Sequence, residues 1–253
     1  MATMLNKVPE VTVYFWIIKI LATTVGETAA DYLSTTLHLG LVTTSYVMSG
    51  IFVIGLLIQL KTKAYTPAVY WAVVVAISVV GTLISDNLVD NLGIPLSTTT
   101  IVFAGALAVV FVAWWLSERT LSVHTIVTRK RELFYWAAIL FTFALGTSGG
   151  DLLSEATGLG YPLAVLAFAA MIGVVAVAYY GFKIDNVLAF WAAYILTRPL
   201  GASLGDLLSQ TTKDGGIGWG TTTTSVVFLL TIVALVAYLT KTHRDRIVDY
   251  AEG

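Results

Sequence analysis

The chain has no cysteine among its 253 residues, which excludes disulfide bridges and thiolate metal sites. Histidine occurs only at His38, His124 and His243, scattered along the sequence, so an imidazole site for zinc or copper is disfavoured. Charge is scarce as well. Asp, Glu, Lys and Arg make up 11% of residues against about 25% in an ordinary soluble domain. A net charge of −1 gives no reason to expect nucleic acid as a partner. There is no HExxH, no phosphate loop, no ATP-binding motif and no nucleophile–base pair, so an enzyme is not expected and no cofactor is implied.

What is present is apolar sequence, 57% of the chain, broken by short polar stretches. A helix needs about 20 apolar residues to cross the hydrocarbon. Eight spans of that kind are predicted, at roughly 11–37, 42–60, 68–92, 96–117, 133–157, 161–182, 186–211 and 221–240. The first follows a short polar lead and is expected to remain a span, with no cleavable signal peptide. The fold class is therefore an all-α, eight-helix membrane protein, with the lipid bilayer as its first partner. Residues 1–253 form a single transmembrane domain in this reading. Lys7, Lys61, Lys63, Arg119, Arg129, Lys130, Arg131, Lys183, Lys241, Arg244 and Arg246 all fall before span 1, after even spans or in the tail; only Lys213 follows an odd span. This bias predicts both termini in the cytoplasm.

Four segments align without a gap: "FWIIKILATTVGETAAD", "YWAVVVAISVVGTLISD", "YWAAILFTFALGTSGGD" and "FWAAYILTRPLGASLGD". Each contains a tryptophan (Trp16, Trp71, Trp136, Trp191), a glycine ten residues on (Gly26, Gly81, Gly146, Gly201) and an aspartate five residues further (Asp31, Asp86, Asp151, Asp206). The chain thus reads as four parallel two-helix repeats, at about 11–60, 66–117, 131–182 and 186–240, in two pseudo-symmetric halves joined by a cytoplasmic linker at 118–132. This pattern resembles a family of bacterial integral membrane proteins built of a repeat of unknown function, with two transmembrane helices and a characteristic tryptophan per repeat and usually four copies. The resemblance spans residues 11–240. It implies the bacterial inner membrane and supplies no activity.

Within the repeat, the tryptophan has two readings, an interfacial anchor or packing between repeats. The glycine permits close helix approach or an unwound turn. The run "GTSGGD" and Pro199 favour odd helices broken near the Gly-x4-Asp motif, as happens where backbone lines a cavity. The aspartates lie about 22 Å of helix from the tryptophans, and are either caps at the outer interface or carboxylates converging on a pseudo-symmetry axis.

Glu27, Asp90 and Glu155 sit four residues from Asp31, Asp86 and Asp151, on one face if each helix is continuous. Seven acids then gather in the outer half. Only Lys19 and Arg198 oppose them within the spans: Arg198 is placed to neutralise an acid in helix 7, and Lys19 to snorkel to the interface. Carboxylates with hydroxyls such as Thr82, Thr147 and Ser203 are hard oxygen donors that suit Mg²⁺, Ca²⁺ or Mn²⁺. Crowded carboxylates also resist joint ionisation and suit proton exchange, here assigned to Asp90 and Glu155.

Three functions follow. The first is a secondary transporter of a divalent cation, Mn²⁺ favoured, exporting against protons. The second is a proton-coupled carrier of a small organic solute, with Tyr32, Tyr161 and Trp219 lining its pocket. The third is a membrane scaffold or sensor. A homo-oligomer is compatible with all three.

Overall fold

A computed structural model describes residues 6–245; Arg246, counted above with the basic tail, lies outside them. Among the described residues there are eight α-helices: α1 Val13–Asp31, α2 Leu41–Lys61, α3 Pro67–Asp86, α4 Leu96–Glu118, α5 Arg129–Asp151, α6 Tyr161–Phe182, α7 Asn186–Ser209 and α8 Gly220–Thr242. All eight are long and apolar enough to cross a membrane, and no strand occurs among the described residues. The protein is a multi-pass membrane protein of four two-helix repeats. Span boundaries agree with the sequence reading to within a few residues. The 118–132 linker is shorter than expected because Thr128 caps α5, its Oγ1 accepting from Arg131 N at 3.3 Å, so the helix begins at Arg129. Asp185 does the same for α7, accepting from the amides of Val187 and Leu188 at 3.0 Å.

Helices α1, α3, α5 and α7 form the inner bundle, each against the next and α7 back against α1. The even helices lie outside. Each packs chiefly on the odd helix of the following repeat: α2 on α3, α4 on α5, α6 on α7 and α8 on α1, with α8 also touching α7 of its own repeat. The outer faces of the even helices expose Ile54, Val109, Val174 and Leu230, as a lipid-facing layer should.

Two contacts recur around the ring in the same rotational order. At the first, the aromatic residue before each tryptophan packs on the tryptophan of the next repeat: Phe15 on Trp71 at 5.6 Å between ring centroids, Tyr70 on Trp136 at 5.6 Å, Tyr135 on Trp191 at 6.3 Å and Phe190 on Trp16 at 5.8 Å. Trp71, Trp136 and Trp191 are accordingly buried, and Trp16 is half-buried. The tryptophans are packing residues, which corrects the anchor reading.

At the second contact, each motif glycine meets the residue seven positions after the next tryptophan. A Cβ added at Gly26, Gly81, Gly146 or Gly201 would lie 2.7, 2.5, 2.5 and 2.6 Å from the Cβ of Ser78, Phe143, Arg198 and Thr23. No side chain fits between these backbones. The expectation of broken odd helices is corrected here. Each helix runs unbroken from its tryptophan through the glycine to the aspartate, and Pro199 lies within α7. The glycines serve close approach, and an unwound turn would move the very surface that makes the contact. Winding changes only after the aspartate: Tyr32–Thr36, Asn87–Asn91 and Leu152–Ala156 each form a π turn, while α7 simply ends at Ser209. The two halves are not separate bodies, since α3 meets α5 across the linker by the same glycine contact that joins α1 to α3.

The end of the bundle carrying the basic loops is sealed. Lys7 is fully buried, with Nζ 2.5 Å from Glu132 Oε2 and donating to the carbonyls of Gln59 and Leu60 at 3.3 and 3.2 Å. Gln59 Nε2 donates to the other Glu132 oxygen at 3.2 Å. Tyr65 donates to Asp245 Oδ2 at 2.5 Å, and burial together with that carboxylate pushes its phenol well above the usual range, so it remains a donor at neutral pH.

Gly81→Ala is expected to destabilise the protein by about 1–3 kcal/mol, the range for overpacking, because the added methyl meets Phe143 Cβ at 2.5 Å and backbone at 3.1 Å. Gly105→Ala, with open space around its Cβ, should be neutral or stabilising. Thermal unfolding of the two variants in detergent checks this contrast.

Candidate functional site

The inner ring stacks residues in layers along its axis. Three residues after the tryptophans lie Lys19, Val74, Ile139 and Tyr194; seven after lie Thr23, Ser78, Phe143 and Arg198; eleven after lie Glu27, Thr82, Thr147 and Ala202. Every one of these is buried. The aspartates close the series at fifteen. Repetition of one helix face in four copies thus builds a polar axis, and the chemistry differs from layer to layer because single copies depart from the pattern.

Arg198 is the principal departure. Its guanidinium reaches residues of the three other inner helices. It donates to Thr23 O at 3.1 Å and Glu27 Oε2 at 3.0 Å on α1, to Thr82 Oγ1 on α3, and to Thr147 Oγ1 at 2.6 Å on α5. Its acidic partner is Glu27 of helix 1, not an acid of helix 7 as expected. The side chain leaves α7 toward the axis, where the residue following Gly26 is the nearest carboxylate. The Arg198–Glu27 pair is the one ion pair in the middle of the bundle among the described residues.

Lys19 does not snorkel. It is fully buried, one layer toward the basic end, and its Nζ faces the rings of Phe143 and Tyr194 at 4.4 and 4.1 Å with no hydrogen-bond acceptor among the described residues. The inward-facing register of position 19 holds it on the axis, too far round the helix for its stem to reach the interface. The sequence signal was available: Lys19 and Arg198 are four residues apart in repeat register, on the face that also carries the motif glycine's neighbour.

Beyond Glu27 the axis becomes acidic. Asp206 is buried; Asp31, Asp86 and Asp151 are half-buried. All four lie within electrostatic range of Glu27, and Asp31, Asp151 and Asp206 of one another. Asp90 and Glu155 are exposed at the rim, where Tyr161 OH donates to Glu155 Oε1 at 3.2 Å. So the seven acids share one end of the bundle but not one point. Among the described residues no three of them are close enough to hold a metal ion. Of the aromatics assigned to a solute pocket, Tyr161 and Tyr32 lie at this mouth and Trp219 is exposed.

The arrangement is an acidic mouth above a buried arginine, with the opposite end shut by the aromatic layer and the Lys7–Glu132 pair. Removing Arg198 leaves Glu27 buried without its partner. Arg198→Met is therefore expected to cost about 3–5 kcal/mol, and the double variant with Glu27→Gln to recover a good part of the loss. Denaturation midpoints of the two single variants and the double variant measure that coupling.

No curated protein and no solved structure is detectably similar to this chain. One family matches it four times in tandem, at residues 14–65, 69–120, 134–185 and 189–245, the same units that the ring of tryptophan and glycine contacts defines. By that fourfold match the chain belongs to the family described as Repeat of Unknown Function (DUF347).

Proposed function

We propose that the protein is a proton-coupled secondary transporter of a divalent cation, with Mn²⁺ as the first ion to try, in the bacterial inner membrane with both termini cytoplasmic. The observation that carries this reading is the aspartate repeated in all four copies and gathered over the Arg198–Glu27 pair. Intramembrane carboxylates are costly and mark ion or proton paths. Oxygen ligands without nitrogen or sulfur suit Mn²⁺, Mg²⁺ or Ca²⁺. Arg198 acts in this scheme as a resident cation: an ion entering from the mouth competes with it for Glu27, and the ring rearranges around the exchange. Asp90 and Glu155, exposed at the rim, hand protons to and from the mouth.

The spacing of the acids gives one specific argument for the second reading, a proton-coupled carrier of a small organic solute. A mouth whose acids do not meet at a point suits a larger cation that touches several of them through hydrogen bonds, with Tyr161 beside it.

In proteoliposomes, Asp31→Asn, Asp86→Asn, Asp151→Asn and Asp206→Asn are each expected to lower Mn²⁺ flux by at least about tenfold, the lower end of the loss when a group supporting a metal is removed. Full flux in all four variants would end the cation reading. Mn²⁺ titrated calorimetrically in buffers of differing ionisation enthalpy should release protons and bind more tightly as pH rises, because carboxylate ligands must lose their protons to coordinate.

Orientation is tested separately. The chain has no cysteine, so single cysteines at the exposed Lys61, Lys183 and Lys213 report cleanly. An impermeant thiol reagent added to intact cells should label only the variant at Lys213.

A further inference from the structure

The four repeats are not equally filled. Beside Trp191, the ring of Phe111 packs edge-on at 4.9 Å and Trp114 at 5.9 Å, and the indole N–H donates to Leu121 O at 2.9 Å. These three residues come from α4 and the segment after it, and they bury Trp191 to 5% exposure. The register that carries repeat 2 onto repeat 3 is 65 residues, the separation of Asp86 from Asp151. It places Ala176 and Tyr179 where Phe111 and Trp114 stand, while the turn from α6 into α7 is too short to hold a counterpart of Leu121. Around the ring, those residues should cover Trp16.

They do not. A cleft of about 500 Å³ lies there, between α1, α6 and α7, lined by Trp16 and by Ala176 and Tyr179 themselves, with Asn186, Ala193 and Thr197 on the α7 side. Replacement of Phe by Ala at the equivalent position removes the ring that fills the site beside Trp191. Trp16 is left half-buried, while its three counterparts are buried. The volume lies within the ordinary range for ligand sites, and an apolar lining with a few polar groups is their usual make-up.

We propose that this cleft is a binding site for a membrane lipid, with one acyl chain lying against Trp16 and Ala176 and the polar end at Asn186 and His124. The occupant follows from the surroundings. The cleft is continuous with the bilayer-facing surface of α6, where Val174, Val177 and Phe182 are exposed. Acyl chains are therefore the apolar material at its opening. Tyr179 and Tyr180, toward the basic end of α6, stand where amphipathic rings meet head groups. His124 and Asn186 line the same end and offer hydrogen bonds to a glycerol ester or phosphate. The connection between α6 and α7 carries one basic and one acidic residue, Lys183 and Asp185, whose charges offset, so no strong preference for head-group charge is expected. The site is separate from the acidic mouth and stands whether or not the protein moves cations.

The test uses the full chain, with Trp115→Phe and Trp219→Phe to remove the two exposed indoles, in nanodiscs of phosphatidylcholine brominated on its acyl chains. Bromine quenches tryptophan on contact, so fluorescence from Trp16 should be strongly quenched, and Trp16→Phe should remove most of the quenchable signal. Ala176→Phe restores the missing ring and should abolish that quenching. Phe111→Ala should open a second cleft and make Trp191 quenchable. Ala193→Leu fills the cleft from α7 and replaces Ala176→Phe if the latter misfolds. Native mass spectrometry should show one retained lipid fewer for either filling variant, with nanodiscs of phosphatidylglycerol giving the same count. Quenching and lipid count unchanged by both filling variants would overturn the proposal. So would absent quenching with disulfide crosslinks between Tyr180→Cys protomers, which would assign the cleft to a second copy of the chain.

Discussion

Four parallel helices approach one another at glycine, with no room for a side chain between them, and the rest of the molecule is organised around that contact. In a membrane there is little hydrophobic gain in bringing two apolar helices together, because lipid tails are as apolar as leucine; close backbone packing supplies the attraction. Gly26, Gly81, Gly146 and Gly201 each let the next inner helix in, and the fourth contact returns to α1. A ring closed in this way leaves no free edge. It also presents one face of each inner helix to a common axis, where residues spaced like the glycines meet in layers.

Symmetry provides the frame and its violations provide the chemistry. The aspartate is present in all four copies, whereas the lysine, arginine and glutamate of the axis occur once each. A single arginine therefore bonds to three neighbouring helices, Glu27 balances it, and Lys19 sits below between two aromatic rings. A buried charge is tolerable only when paired or well surrounded, and the ring supplies those surroundings from helices distant in sequence. Unequal filling around the tryptophans is a second violation, on the outside of the ring, and it produces the cleft beside Trp16.

Both ends of the axis matter for any movement of solute. The acidic end presents half-buried carboxylates, and the basic end is filled by Phe15, Tyr70, Tyr135 and Phe190 together with the Lys7–Glu132–Gln59 network. Because the ring closes on itself, two halves cannot part without slipping the glycine contacts between α3 and α5 and between α7 and α1.

Much of this was legible in the chain itself. Span length and charge scarcity determined eight helices, and the spacing of Trp, Gly and Asp determined four repeats and which acids belong together. Basic residues near even loops marked one end as different from the other. What the sequence could not decide was the destination of each side chain across the ring. Repeat spacing says that Arg198 faces inward, but not that its partner is Glu27, 171 residues away on the helix that closes the circle. It allowed the tryptophan as anchor or as packing residue, and the glycine as hinge or as point of contact; only the assembled ring chose, because each choice depends on what the neighbouring repeat places against it. Periodicity is local and is written in one strand of sequence, while burial, pairing and cavity volume are properties of helices meeting, which tertiary structure alone brings about.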